Sequence, residues 1–548
     1  LSRRGCLSIA QPHKTNKQSI RRVSANRNLF LFCDTMPTNY WSTSLSHDRF
    51  TETTIAAETH KGYYFVTRSS QGKVLKSRLV ILLILLSSTA HAMADIETYG
   101  QALKLALDEN PSLARTYFDF TAAKERIAVA EGGLRPSVDI AAVEGREDRQ
   151  TPTSNFGEYD KSNLTFTTTQ LLFDGFATRD RVRAAEFEAR KGYQAHLGAA
   201  QNAALELTRA YLEVVLYQRL KGYAEQNYYV HRQVASRIAE RVGSGVSAGV
   251  DLEQVKARLF LAESNVLTEA TNLHDTLADL QRITGSRVVS EKLPMPLMPR
   301  RLIGESRDAI LRRALDQSPR VRESTEALLA VSAERDAARG AFFPRIDLRY
   351  RNEQSDNLEG IQGDFETEAV ELVFNFNLYR GGSDSAQRRE RNQRYYAAIE
   401  ARKQACWDTR REVLIAYNDA LVLERQIEYL GKQLASQRLA RIAYEDEFNM
   451  GDRSLLDLLD SQNELFDTER ALARAEAGLI SAGATALAEA GELLSAFGVT
   501  IQRPDAGEWD WDSSLSSAFA ACPSEPTESV DVDFDAVYDR MMQTNDAQ

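Results

Sequence analysis

The chain of 548 residues carries the same pattern twice. Three short segments of its first half recur in the same order in its second half, at a nearly constant offset of about 206 to 208 residues. The matched segments are 106–111 with 314–319, 134–139 with 342–347, and 173–175 with 379–381. Ordered matches at one offset indicate an internal duplication and predict two copies of one structural unit. We place these copies at residues 95–293 and 305–498, separated by the proline-rich linker 294–304, which no helix can cross.

Each copy is predicted to contain a helix, two strands and a hairpin of very long helices. Amphipathic helices are predicted at about 102–132 and 307–340, each ending just before a proline. The long helices are predicted at 177–242 and 385–449, and their return helices at 251–284 and 455–497. A helix of 65 residues is about 100 Å long, far longer than a helix of a globular domain. Leucines recur every seventh residue from Leu458 to Leu479 and again at Leu493, which is typical of coiled-coil packing.

The strands are predicted at 137–143, 163–173, 345–351 and 366–378, with polar loops at 146–161 and 352–364. The last strand alternates most clearly, and one of its faces carries Val370, Leu372, Phe374, Phe376 and Leu378. Four strands inserted between such helices cannot form a stable soluble sheet, because their edges and one face stay uncovered. A membrane barrel would cover both, but membrane barrels begin at about eight strands, so several chains must contribute to one barrel.

The N-terminal region and the overall composition limit the class of protein. A mean hydropathy of -0.40 excludes a polytopic helical membrane protein. Residues 73–94 combine basic residues, a short apolar run and small residues, which is typical of a secretory signal peptide. Residues 1–72 are predicted to be an upstream extension outside the fold. The net charge of -11 argues against a nucleic-acid partner, since phosphate contacts need a surplus of Lys and Arg.

The residues give no sign of catalysis. The four cysteines are widely spaced and show neither a zinc pattern nor a disulfide framework. Residues 245–249 match G-x-S-x-G, but a long helix precedes the serine where that motif needs a strand. The histidines that follow the signal peptide, His196, His231 and His274, are too dispersed for a metal site or a triad. We therefore predict no enzyme, no cofactor and no metal.

Together these features resemble the TolC family of outer-membrane channels. The resemblance rests on the signal peptide, the twofold repeat and the segment 280–285, LQRITG, and it covers residues 95–498. It implies a mostly α fold with a small β-barrel portion, in which a homotrimer forms one twelve-stranded barrel in outer-membrane lipid. The barrel would continue into a periplasmic α-helical barrel. The alternating apolar residues of the last strand would then face the lipid.

The most specific local match is the segment 451–460, GDRSLLDLLD, which is similar to the family's second helix-hairpin tip. The resemblance assigns Asp457 and Asp460 to an acidic ring at the periplasmic entrance. Because these residues are three apart, both carboxylates share one helix face, and six of them in a trimer would favour cations. The alternative is that both are ordinary solvated acids on a helix surface.

A gate latch is implied at the same tip. Asp251 matches the family aspartate that links the first tip to the second, and Arg453 matches its arginine partner. Asp251 can also serve as the N-cap of its helix. Where the family's latch tyrosine stands, this chain has Phe448, which carries no hydroxyl group. We therefore expect a latch that depends on Arg453 and Asp251.

The resemblance implies a passive conduit of a tripartite efflux or type I secretion system, gated at its helix tips, in the outer membrane of a Gram-negative bacterium. Its implied partners are a periplasmic adaptor and an inner-membrane pump, ABC-type or proton-driven, which supplies the energy. The ending 490–498 and the lack of a lipidated cysteine favour the type I secretion branch. The alternative is a non-pore periplasmic coiled-coil adaptor, which explains the heptads but not the strands. Residues 499–548 are acidic and without periodicity, and we predict a flexible tail.

Overall fold

The computed structural model describes residues 55–59, 62–66, 96, 98–246, 248–286, 293–296, 306–501, 522 and 532–545. The chain divides into two compact units, residues 1–91 and 92–548. In the first unit, β1 (Ile55–Thr59) and β2 (Gly62–Val66) form an antiparallel pair. The sequence did not predict this pair, because strands of five residues give too short a periodic signal. The predicted signal peptide, residues 73–94, lies outside the described residues, as does most of the predicted linker.

In the second unit the two predicted copies follow the same order of elements. The first copy contains α1 (Tyr99–Asp108), α2 (Pro111–Gly132), β3 (Ser137–Thr151), β4 (Ser154–Phe173), α3 (Ala177–Gly243) and α4 (Gly249–Thr284). The second contains α5 (Arg307–Gln317), α6 (Pro319–Ala337), β5 (Arg345–Asp356), β6 (Asp364–Asn375), α7 (Ser383–Met450), α8 (Leu455–Glu489) and the short α9 (Leu493–Ala496). The fold is thus mostly α with one small sheet, as predicted.

The opening helix of each copy is broken in two, which corrects the prediction of single helices at 102–132 and 307–340. Pro111 and Pro319 each begin a new helix, because proline lacks the N–H that a helix interior needs but fits the first helical position. Asn110 caps the new helix in the first copy, where its Oδ1 accepts hydrogen bonds from the backbone N–H of Ser112 (2.9 Å) and Leu113 (3.2 Å).

The four strands β3 to β6 form one antiparallel sheet in the order β3-β4-β5-β6. The predicted loop 146–161 is wrong, since β3 and β4 continue through it and leave only residues 152 and 153 between them. Its charged residues pair across the strands: Arg146 Nε lies 3.0 Å from Asp160 Oδ1, and Lys161 Nζ lies 2.9 Å from Glu147 Oε2. Polar composition therefore did not end the strands, because cross-strand partners satisfy the polar groups.

In the second pair of strands, β5 ends later than predicted and β6 ends earlier. β5 extends to Asp356, which shortens the predicted loop 352–364. β6 ends at Asn375, so Phe376 and Leu378 lie beyond the strand on which the sequence placed them. After β4 the chain turns sharply into α3 at Gly175, which has a φ of 68°. A Cβ atom there would lie 2.6 Å from Phe343 Cβ, so only glycine fits this junction between strand and helix.

Two helices of unusual length dominate the structure. α3 has 67 residues and α7 has 68, so each is about 100 Å long. α4 and α8 fold back along them as helices of 36 and 35 residues. The largest apolar core lies where α1, α3, α4, α8 and α9 meet, around the fully buried side chains of Leu103, Leu207, Tyr211 and Leu280. There the Tyr99 hydroxyl lies 2.8 Å from Thr208 Oγ1.

Described residues of the C-terminal tail contact α7, and the flexibility of the tail 499–548 stays a prediction. Cys522 forms a disulfide with Cys406 of α7 across a separation of 116 residues. Residues Phe534–Asn545 form a helix, α10. The disulfide was not predicted, because a pairing over that distance leaves no local spacing pattern.

Candidate functional site

The sheet has two chemically different faces. Cross-strand register places most of the large apolar side chains of the four strands on one face, together with polar residues such as Asn352 and Glu368. The other face is mainly polar and includes Val143 and Val373. The apolar face carries Val138, Ile140, Leu164, Phe166, Leu348, Tyr350, Val370, Leu372 and Phe374. On β6 the side chains of Val370, Leu372 and Phe374 are 75%, 68% and 62% exposed in the single chain. A strand face this apolar and this open must be covered by something other than water.

The opposite face of the sheet carries a network of charged and amide side chains. Asn163 Nδ2 donates to Glu353 Oε1 at 2.7 Å, and Arg351 Nη1 lies 3.1 Å from Glu353 Oε2. Arg349 and Arg351 approach Glu371 at 4.0 and 3.9 Å. These pairs keep the polar face hydrated and charged, which suits a surface in contact with water.

The turns of the two long hairpins form the second part of the site, which we call the tip. It contains the end of α3, the start of α4, the end of α7 and the start of α8. One apolar cluster joins all four helices, and its buried members are Val234, Ile238, Val255, Phe448, Leu455, Leu458 and Leu459. Phe448, which stands where the family has its latch tyrosine, is buried in this cluster, and the Arg241 guanidinium lies 5.6 Å from the centre of its ring.

The two predicted entrance acids are close together but have different partners. Asp457 lies in the first turn of α8, where its Oδ2 accepts a hydrogen bond from the Ser454 hydroxyl at 2.8 Å. Asp460 pairs with Arg258 of α4 at 2.8 Å, with both side chains partly exposed. Asp460 is thus paired with a cation of the first hairpin, whereas Asp457 is bonded within its own helix turn. Their membership of an acidic ring stays a prediction.

The predicted pair between Arg453 and Asp251 does not form within one chain. Arg453 Nε instead donates to Glu447 Oε2 at 2.8 Å, and its guanidinium lies 4.1 Å from the ring centre of Tyr444. Asp251 lies in the first turn of α4, where its charge is favourable beside the helix N-terminus. Gly451, with a φ of 90°, turns the chain so that Arg453 faces back onto the end of α7.

Sequence reasoning missed three residues that the structure brings into the tip: Arg258, Tyr444 and Glu447. Glu447 precedes Arg453 by six residues, and only the turn at Gly451 folds it back to contact distance. Arg258 is 202 residues from Asp460, so no local pattern connects them. One signal in the sequence was usable: several acidic residues lie near Arg453, and each of them was a candidate partner for its guanidinium.

Charged pairs also tie the two copies together along the helices. Arg470 of α8 donates to Glu269 of α4 at 2.8 Å, and Glu269 is only 2% exposed. Arg219 of α3 pairs with Glu476 of α8 at 2.6 Å. Because α8 contacts both α3 and α4 through such pairs, movement of the second hairpin against the first requires that they break.

The first long helix, α3, carries a buried histidine. His231 of α3 is 1% exposed, and its Nδ1 lies 2.9 Å from the backbone oxygen of Asn227. Burial lowers the pKa of His231 below its ordinary value; the hydrogen bond to Asn227 opposes this shift and the charge of Arg258 adds to it. The imidazole is therefore neutral at neutral pH.

Two features are absent from the described residues. Among the described residues, no group of three or more His, Cys, Asp or Glu is arranged to hold a metal ion. No helix in the described ranges is both long and apolar enough to cross a membrane.

Comparison with known proteins matches both copies. A model of the family described as outer membrane efflux protein matches residues 102–286 and 310–490. The chain is 25% identical over 422 residues to outer membrane efflux protein BepC of Brucella suis, covering 76% of this chain and 91% of that protein. It is 23% identical to outer membrane protein TolC of Escherichia coli, covering 73% and 83%. It is 22% identical to proteases secretion protein PrtF of Dickeya chrysanthemi, covering 72% and 87%.

Solved structures show the same fold. The crystal structure of the outer membrane protein VceC from Vibrio cholerae superposes with a TM-score of 0.65 at 16% sequence identity, covering 72% of this chain and 96% of that one.

Proposed function

This chain belongs to the outer membrane efflux protein family, and on that premise we propose that it is a passive channel across the outer membrane and periplasm of a Gram-negative bacterium. It conducts the cargo of a tripartite efflux or type I secretion system and is gated at the tip. Energy comes from an inner-membrane pump, either ABC-type or proton-driven, which a periplasmic adaptor connects to the channel.

The observation that carries this proposal is the four-stranded sheet with one apolar and one charged face. A lipid-facing surface and a water-facing lumen need these two faces, and β3 and β6 are the outer strands of the sheet, each hydrogen-bonded on one side only among the described strands. We infer that β6 of one chain pairs with β3 of the next. Three chains then close a barrel of twelve strands and leave no open edge.

The long helices support the same assembly. In the single chain several large apolar side chains of α7 and α4 are exposed: Tyr396, Trp407, Leu421, Leu439 and Met450 on α7, and Phe260, Leu261 and Leu267 on α4. Helices of neighbouring copies would cover these residues and close a helical barrel around the tunnel. A homotrimer is therefore the assembly that accounts for both the sheet and the helices.

Between efflux and secretion, we favour the type I secretion branch, because two relatives are named as protease secretion proteins. The end of the second copy, residues 490–498, favours it as well. The pump encoded beside this channel would decide the class of cargo.

Purified protein in a planar bilayer tests the proposal. We expect cation-selective pores and co-fractionation with the outer membrane. Protein that stays soluble without detergent and never conducts would support the non-pore adaptor instead and would overturn the channel function.

A further inference from the structure

The C-terminal segment is attached to α7 at two separate places. The first is the disulfide between Cys522 and Cys406, whose Cα atoms lie 5.7 Å apart. Cys406 is buried, and Cys522 packs beside the apolar cluster formed by Ile310, Leu311, Ala314, Leu315, Val413 and Ala490. The disulfide therefore joins the C-terminal segment to α7 at the point where α7 contacts α5.

The second attachment lies further along α7 and is non-covalent. Arg425 Nη2 donates to the backbone oxygen of Val532 at 3.1 Å. The rings of Tyr429 and Phe534 meet edge to face, with centroids 5.7 Å apart and planes at 88°. α10 begins at Phe534 and is thus fixed to α7 by its first turn.

The distance between the two attachments on α7 is within the reach of the C-terminal residues that join them. Cys406 and Arg425 are 19 residues apart on α7, about 29 Å along a helix. Cys522 and Val532 are ten residues apart, and ten residues reach at most about 33–36 Å. The two contacts can therefore form at the same time, and they run in the same direction along α7, towards the tip.

We propose that the C-terminal segment is a disulfide-anchored strap that restrains α7 between Cys406 and Tyr429 and is released by reduction. The disulfide forms when a disulfide-exchanging oxidant takes two electrons and two protons from the two thiols. A dithiol reverses this step: it is oxidised to its own disulfide and leaves Cys406 and Cys522 as thiols. The ring contact and the Arg425 hydrogen bond alone then hold α10.

The strap matters for the gate, and this part of the inference rests on the proposed channel function. The far end of α7 carries Glu447 and Phe448, the residues that hold Arg453 and the apolar cluster of the tip. A restraint that ends at Tyr429 leaves the last 21 residues of α7, 430–450, outside the strap. Release of the strap lengthens that segment and increases movement at the tip.

Hydrogen exchange of the full-length protein in detergent tests the strap. In oxidised protein we expect residues 534–545 and 421–432 to be protected, and dithiothreitol to speed their exchange by about tenfold or more. The double variant C406S/C522S should show the fast exchange from the start and no response to dithiothreitol. Peptide mapping must also show a linked peptide that contains both cysteines. Equal exchange in oxidised wild type and double variant, or absence of the linked peptide, would overturn the strap.

Two further measurements separate the strap from the channel. The variant Y429A keeps the disulfide but loses the ring contact, so α10 should exchange faster while the linked peptide persists; unchanged exchange would remove the second attachment. In bilayers, reduction should raise the frequency of conductance fluctuations at least twofold in wild type and not in C406S/C522S. Conducting wild type without this response would overturn the effect on the gate, whereas non-conducting wild type would overturn the proposed function and leave the exchange result to decide on the strap.

Discussion

Arg258 of the first hairpin donates a 2.8 Å hydrogen bond to Asp460 of the second. This contact compensates one of the two carboxylates that the sequence assigned to an acidic ring. Asp457, three residues earlier, instead accepts a hydrogen bond from the neutral Ser454 hydroxyl. The two aspartates are therefore not equivalent, although the sequence presents them as a matched pair.

These different partners predict unequal effects on ion selectivity. Neutralising Asp457 as D457N should lower the cation preference of the pore by about 2–5-fold, because its carboxylate is hydrogen-bonded to a neutral hydroxyl rather than to a cation. D460N should have a smaller effect on selectivity and should weaken the contact between the hairpins. Reversal potentials in a salt gradient measure the first effect. If neither variant changes the reversal potential, these residues do not line the entrance.

The sequence predicted the order of elements because that order leaves local signals. Heptad leucines, prolines after helices and the alternation of Val370, Leu372 and Phe374 each act within a few residues. The sequence did not predict structure that depends on contacts with residues further along the chain. Arg146 and Asp160 look like loop residues until they are paired across two strands, and Cys406 finds Cys522 over 116 residues. The tip was placed correctly on α7 and α8, but Glu447 and Arg258 entered it only through folding.

The apolar face of β6 predicts the effect of charge on assembly. L372R places a cation on the exposed apolar face and should destabilise a membrane-inserted barrel by about 2–4 kcal/mol at mid-depth. T367R is the matched control and should be tolerated, because Thr367 lies on the other face of the same strand and is paired in register with Glu353. The yield of folded, heat-modifiable oligomer in outer membranes reports both. Equal yields of the two variants would contradict a lipid-facing role.

The pair between Glu269 and Arg470 is the most buried ion pair that ties the copies together, with Glu269 2% exposed. E269A should cost about 1.5–3 kcal/mol, the value of a hydrogen bond to a charged group, because it leaves Arg470 only the more distant Asp467 as a carboxylate partner, at 3.6 Å. E269Q should cost less, since an amide still accepts a hydrogen bond. E253A removes the exposed pair with Lys256 and should have no measurable effect. Denaturant unfolding of each variant gives the comparison, and similar losses for E269A and E253A would refute the coupling.

The neutral His231 predicts a loss of stability in acid. In the unfolded chain the imidazole takes up a proton near its ordinary pKa of about 6.5, whereas burial holds the pKa lower in the folded chain. The unfolded state therefore binds more protons in this window, and the free energy of unfolding falls as the pH drops below about 7, until the folded pKa is reached. One proton contributes at most about 1.4 kcal/mol per pH unit.

H231Q should reduce this dependence between pH 7 and pH 5 without removing it, because burial lowers the pKa of His196 as well. Unfolding free energies at four pH values are sufficient. A pH dependence that survives H231Q intact would show that other groups cause it.

Glu447 and Asp251 are two candidate partners of Arg453 in the gate, and they predict different effects of mutation on conductance. Within one chain Arg453 is held by Glu447 and by the ring of Tyr444. If this contact holds the tip closed, R453A and E447Q should both raise single-channel conductance, by at least about twofold, while D251N leaves it near the wild-type value. If Arg453 instead reaches Asp251 of a neighbouring chain in the trimer, D251N should match R453A and E447Q should be nearly silent. The ratio of the two single-variant effects thus decides whether the latch acts within a chain or between chains, and wild-type conductance in all three variants would show that Arg453 is no part of the gate.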